Sequence, residues 1–142
     1  MSNNIRNITL MGHGGTGKST FVEAAVFNAK QIDRMGKPGS LVSDFDAEEM
    51  RRGVSINVTA NSLDWKGHVL NLLDTPGDFD YLGEQMLGLY VGDAVVIILS
   101  AKDGLAVGAE KALRLAQKQN RPVVFFVNRI DEANADFMKT LN

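Results

Sequence analysis

The residues best suited to chemistry stand close to the start of the chain. Gly12-His13-Gly14-Gly15-Thr16-Gly17-Lys18-Ser19 fits the pattern G-x-x-x-x-G-K-[ST]. Glycines at such spacing let successive backbone N–H groups turn inward around a di- or triphosphate. A helix that starts where the loop ends aims its positive end at the same anion. Lys18 would reach the outer phosphates and the Ser19 hydroxyl would ligate Mg²⁺, with Thr20 next in line. At ordinary residue abundances the pattern arises by chance in well under ~1% of chains of this size. The competing reading is a flexible glycine turn before a helix. The apolar run Ile8-Thr9-Leu10-Met11 ahead of the loop and the helical stretch behind it favour the cradle. His13 invites a catalytic role, but a cradle works through its backbone, so the expected participant is its N–H, with the ring turned away. His68 follows a turn and is expected at the surface.

Two later clusters carry compatible chemistry. Val69-Leu70-Asn71-Leu72-Leu73 is an apolar strand that ends in Asp74, a carboxylate placed to hold a Mg²⁺-bound water. Thr75-Pro76-Gly77 then forms a stiff turn, and Gly77 can bring its N–H to a terminal phosphate where a side chain would obstruct it. Taken alone, Asp-Thr-Pro-Gly is a common turn; downstream of a phosphate loop and at a strand end, it favours nucleotide. A third apolar run, Val123 to Val127, leads into Asn128-Arg129-Ile130-Asp131. Asp131 could accept two hydrogen bonds from the N1–H and amino group of guanine, which adenine cannot offer. Asn128 would bind the base's other edge and brace the phosphate loop. Alternatively, Asp131 only caps a helix beginning near Glu132. The order of the three clusters favours guanine.

These groups need a scaffold, and the hydrophobic pattern describes one. Ile8–Met11, Val69–Leu73, Ala94–Leu99 and Pro122–Val127 are short, apolar and rich in β-branched residues, as buried parallel strands are. Ser19–Lys30, Asp80–Tyr90 and Val107–Gln119 have helical spacing. Val54–Trp65 alternates apolar and polar residues, and Lys66-Gly67 turns it back as a hairpin. Strand–helix alternation predicts an α/β domain with helices on both faces of a mostly parallel sheet. Residues 31–53 lack a core pattern, which in a compact domain marks a functional or disordered loop, with Asp44–Arg52 as a short charged helix ended by Gly53.

The chain has 142 residues, a net charge of −2, 44% hydrophobic residues and no cysteine. That composition excludes a disulfide scaffold, a thiol nucleophile and a disordered tail. No apolar run reaches the roughly 20 residues of a spanning helix, so no membrane is expected. The weak charge argues against direct nucleic-acid binding by the bulk surface.

In this order, the three clusters resemble the GTP-binding domain of translation factors, elongation factor G and its paralogues among them. Arg52-Gly53-Val54-Ser55-Ile56 is similar to that family's R-G-I-T-I, Asp74 to Asp80 to its D-T-P-G-H-x-D-F, and Ala135-Asp136-Phe137 to its sequence there. The resemblance covers essentially the whole chain. It implies a three-layer P-loop NTPase fold of small-GTPase type with one antiparallel edge hairpin. It also implies GTP/GDP and Mg²⁺ as ligands, switch I at about 31–56 and switch II at about 74–90. Ser55 takes the place of the family's Mg²⁺-sensing Thr and keeps the hydroxyl. The metal set would then be Ser19, Ser55 and, through water, Asp74. Nucleotide would meet residues 12–20, Asp74, Thr75, Pro76, Gly77, Asn128, Arg129 and Asp131.

Departures of more consequence than Ser55 fall at four other positions. Asp78 replaces the water-orienting histidine, which in the family is positioned by an RNA phosphate; a carboxylate beside a γ-phosphate costs on the order of a kcal/mol in repulsion. Gly14 and Gly15 replace an apolar residue and an Asp associated with a charge-neutralising monovalent cation. Arg129 replaces a Lys whose stem packs beside the base, a task its own methylenes and planar head can perform. With Lys18 and Gly77 at the phosphate and Asp78 in the histidine position, binding is expected to be intact and hydrolysis slow. Two further expectations stay open beside it: a GTP-dependent binding switch with little hydrolysis, and a phosphate-loop ATPase.

The resemblance further implies a cytoplasmic factor that meets the ribosome through its full-length protein. The family's last strand, helix and guanine-contacting loop are expected beyond Asn142, making 1–142 a partial domain. The run 122–127 would then be an apolar edge, prone to self-association or covered by a helix from the tail.

Overall fold

The computed structural model describes residues 4–37, 41–43 and 46–141, with the side chain of Phe79 excepted. Five strands form one sheet in the order β2-β3-β1-β4-β5. They are β1 (Ile5–Met11), β2 (Thr59–Trp65), β3 (His68–Asp74), β4 (Ala94–Ser100) and β5 (Val123–Asn128). All neighbours run parallel except β2, which is antiparallel to β3. The α/β architecture with one antiparallel edge hairpin is therefore as the sequence implied.

Parallel strands covered on both sides explain the unbroken apolar runs. Consecutive residues point to opposite faces, so Leu10 and Met11 enter different cores. Leu10 joins Val22, Val26, Leu63 and Leu72 under α1 (Lys18–Asn28). Met11 joins Leu89, Val95, Ile97 and Leu99 under α3 (Leu82–Val91) and α4 (Val107–Lys118). The α4 helix meets the sheet through Ala109, Ala112 and Ala116, while Glu110 and Arg114 pair in solvent.

Turn chemistry sets the connections. Lys66 and Gly67 both have positive φ, 50° and 79°, and close the tight two-residue turn that pairs Trp65 with His68. The charged stretch forms α2 (Ala47–Arg52), opened by an Asp46–Glu49 capping box and closed by Gly53 in the left-handed region. Asp44 and Phe45, the first residues expected in that helix, lie outside the described residues.

Two expected elements differ. The alternation beginning at Val54 forms strand only from Thr59. The preceding donors are already taken: Ile56 and Asn57 N–H donate to Glu49 Oε1 and Val58 N–H to Glu84 Oε2. The helix considered near Glu132 is a turn, and α5 (Phe137–Leu141) starts further on, its Lys139 N–H bonded to Asp136 Oδ1.

The β5 strand ends the sheet, with Val124, Phe125 and Phe126 exposed by 60%, 45% and 40%. The α5 helix docks elsewhere, through Thr140 Oγ1 onto the Ala101 carbonyl.

Candidate nucleotide-binding site

At Gly12 the β1 strand gives way to a loop that wraps the end of one side chain. The Lys18 ammonium donates to the His13 carbonyl at 2.9 Å and the Gly12 carbonyl at 3.3 Å. Only 6% exposed, it is an ammonium held largely out of water. Burial lowers its pKa from 10.5 to about 8, and the nearby Asp74 carboxylate opposes that shift. Gly17, with φ 94°, is the residue before α1, and a Cβ there would fall 2.5 Å from Asn128 Nδ2. That same amide donates to the Thr16 carbonyl at 2.9 Å, tying the end of β5 to the loop. The Thr16 hydroxyl closes the loop on the His13 carbonyl at 3.0 Å.

Beyond the loop, the Ser19 and Ser55 hydroxyls lie 3.1 Å apart although 36 residues separate them. Asp74 is buried at the end of β3, and the Thr75 hydroxyl next to it donates to the Leu10 carbonyl at 2.7 Å. Gln85 of α3 shapes the following turn, its Nε2 donating to the Pro76 and Asp78 carbonyls at 2.9 and 3.0 Å. Gly77 is sterically required: an added Cβ would lie 2.6 Å from Gly14 N and against the Lys18 ammonium. The Asp78 side chain is exposed.

These groups surround a cavity of about 350 Å³. His13, Gly14, Gly15, Gly17, Lys18, Ser19, Thr20, Ser55, Gly77, Asp78 and Arg129 all line it. Thr16, Asp74, Thr75, Pro76 and Asn128 sit behind that surface as supports. The Arg129 guanidinium spans the rim, donating to the Gly15 carbonyl and, at 2.9 Å, to Glu132. His13 packs its ring against Gly108, where a Cβ would fall 2.9 Å from Nδ1. Asp131 is exposed and outside the cavity lining. His68 is at the surface.

Sequence reasoning missed Leu41, Gly53 and Val54, which also line the cavity. It missed the supports Gln85 and Glu49 as well. The Glu49 role had a legible trace, since D-A-E-E is a capping-box spacing that ends two residues before the R-G-V-S segment.

A strand, a glycine loop closed on a buried lysine, and a helix leaving from that loop place the chain among phosphate-loop nucleotide-binding domains. The family model described as elongation factor Tu GTP binding domain matches residues 3–142. The chain belongs to that family. Among similar proteins, a mitochondrial ribosome-releasing factor 2 from Drosophila pseudoobscura pseudoobscura is 36% identical over 99% of this chain and 19% of its own length. An elongation factor G-like protein from Thermotoga maritima is 31% identical over 94% of this chain and 19% of its own. A solved structure from Thermus thermophilus superimposes with a TM-score of 0.92 at 31% identity, over 96% of this chain and 21% of that one. The chain thus spans about a fifth of these relatives. Among the described residues no helix is long and apolar enough to cross a membrane.

Proposed function

We propose that the chain binds Mg²⁺-GTP and GDP and hydrolyses GTP slowly, as the nucleotide-binding part of an elongation-factor-G-like, ribosome-associated factor of the cytoplasm. The observation that carries this is the cavity onto which the phosphate loop, Ser55 and the 77–78 turn converge. In this reading the loop N–H groups and Lys18 hold the phosphates, and an anion relieves the cost of a buried ammonium. The donor set fits Mg²⁺: two hydroxyls and one carboxylate are hard oxygen ligands that phosphate and water would complete. No cluster of three or more His, Cys, Asp or Glu side chains, of the kind a closed metal cage uses, occurs among the described residues. When bound, Mg²⁺ neutralises charge developing on the transferred phosphoryl group. Gly77 supplies a backbone N–H at the terminal phosphate, held by Gln85 through the neighbouring carbonyls. Asp78 stands at the cavity with a carboxylate in the position of the family's histidine, which disfavours rapid hydrolysis.

Guanine selectivity rests on Asp131, with Asn128 and Arg129 joining the base site to the loop. Displacement of a fluorescent GDP tests it. GTP and GDP should compete at least about a hundredfold better than ATP, on the scale of a two-hydrogen-bond recognition. Asp131→Asn should remove that preference. ATP competing as well as GTP would overturn guanine selectivity and leave the ATPase reading. A second reading, a switch with little turnover, is favoured by Asp78. Hydrolysis that stays negligible with ribosomes added would decide for it.

A further inference from the structure

Nothing in the pattern of nucleotide contacts accounts for a glutamate of α2 that is 1% exposed, between α1 and β2. Glu49 lies outside the cavity lining, yet its carboxylate is a hub. Its Oε1 accepts from Ile56 N–H at 2.8 Å and Asn57 N–H at 3.0 Å. Its Oε2 accepts from Asp46 N–H at 3.2 Å, closing the capping box of its own helix. The two amides it holds follow directly on Ser55, whose hydroxyl meets that of Ser19. One residue further, Val58 N–H is held by Glu84 of α3. A segment that would otherwise extend β2 is thereby fixed at the right register for Ser55 to reach α1.

We infer that Glu49 is a positioning residue for Ser55, setting its hydroxyl at the metal side of the phosphate loop without touching nucleotide. The inference rests on the nucleotide reading of this site for its purpose, though not for its geometry. A buried carboxylate costs desolvation, and it is kept only where several N–H donors converge on it. Here they converge from two directions. The helix cap alone needs one oxygen; the second oxygen serves the 56–57 backbone. The first turn of α2 is thereby tied to the 56–57 backbone: one carboxylate closes the helix cap at Asp46 and holds the two amides that follow Ser55.

Because the chain has no cysteine, Ser19→Cys with Ser55→Cys provides the only two thiols, and disulfide closure in a glutathione buffer reads how often they meet. Glu49→Ala should slow closure about tenfold or more, since two hydrogen bonds to a charged acceptor are lost. Glu49→Gln should stay within about twofold, because its amide oxygen can still accept both N–H groups. Closure of the Glu49→Ala protein at the parent rate would overturn the inference. So would a Glu49→Gln protein as slow as Glu49→Ala, because an acceptor at the same place would then not hold Ser55. Should Glu49→Ala fail to fold, hydrogen exchange of the unsubstituted chain decides: slow exchange at Ile56 and Asn57 supports the hub, and exchange as fast as at exposed Val54 overturns it. With both serines restored, Glu49→Ala should weaken a non-hydrolysable GTP analogue about tenfold more than GDP in Mg²⁺. Equal weakening of the two would count against the positioning role. Failure of the parent chain to bind either nucleotide would overturn the proposed function, while the disulfide rates would still report on Glu49.

Discussion

At the residue scale, Lys18 and Asp78 carry opposite electrostatic problems into one cavity. Lys18 is a buried cation with a pKa lowered to about 8 from 10.5. Between those values the unfolded chain holds the proton that the folded chain has released, so stability without ligand rises with pH across that window. Below about 8 both states carry the charge and the burial cost is present in full. Urea unfolding at pH 7.5 and 9.5, for the parent and Lys18→Met, isolates this group because every other titration is shared. The parent should gain about 2 kcal/mol more than the variant over that rise, as a shift of this size implies. An equal gain in both proteins would refute the assignment. Bound nucleotide should flatten the parent's response, since an anion beside the ammonium favours its charged form. Asp78 has the reverse difficulty, a carboxylate facing the place of a terminal phosphate. Gln85 holds the Asp78 backbone rather than its side chain, so Asp78→His should keep the turn and change only the chemistry. Single-turnover GTP hydrolysis should then speed up at least about tenfold, about 1.4 kcal/mol of barrier. A parent faster than the variant would sink this reading.

At the scale of elements, the sequence revealed what burial dictates and hid what side chains override. The β1, β3 and β4 strands were legible because strands covered on both faces must be apolar throughout, and β5 because its run is equally apolar although it lies at an exposed edge. The loop was legible because two of its glycines have a steric reason, Gly12 against the Ile98 carbonyl and Gly17 against Asn128. The 54–58 segment was misread because its alternation is real, but Glu49 and Glu84 take the N–H groups a ladder would need. No periodicity reports that. Asp131 remained ambiguous for a similar reason: a helix cap and a base acceptor look alike in sequence, and here the helix starts only at Phe137. Close packing of α3 on the sheet was also invisible. Gly88 accepts the Thr9 hydroxyl at its carbonyl, and an added Cβ would lie 2.8 Å from Thr75 Cγ2. Gly88→Ala gains up to about 1 kcal/mol in helix propensity and loses about 1–3 kcal/mol to overpacking. A net loss of about 1 kcal/mol in urea unfolding is expected. Thr75→Ser keeps the hydroxyl on Leu10 and removes the obstructing methyl, so in that background the loss should shrink by half or more. Additive effects of the two substitutions would show that the contact does not limit the approach of α3.

At the scale of the whole molecule, the sheet has two edges of different character. The β2 edge carries Asn61, Ser62, Asp64 and other polar residues, and its strand is twisted into a hairpin. The β5 edge is Val-Val-Phe-Phe-Val, exposed on both faces of the sheet, with α5 docked onto Ala101 instead of over it. The Phe126 ring meets Phe21 edge-on, with centroids 4.9 Å apart. An apolar edge of this kind offers backbone donors and acceptors together with side chains that gain by leaving water. The 142-residue chain should therefore pair through β5, two copies adding strand to strand. A six-residue edge is a small interface, so the expected dissociation constant is weak, on the order of 10–100 µM. Sedimentation equilibrium across that concentration range should give a mass that rises above 15.4 kDa. Val124→Lys combined with Phe125→Lys places a charge on each face of the edge strand and should return a monomer with unchanged nucleotide binding. A parent chain that stays monomeric throughout would show that the edge is quiet as it stands. A double variant that still associates would move the interface elsewhere, and the apolar groove between α1 and the sheet, lined by Phe21, Trp65 and Leu70, is the surface that would then be left to account for it.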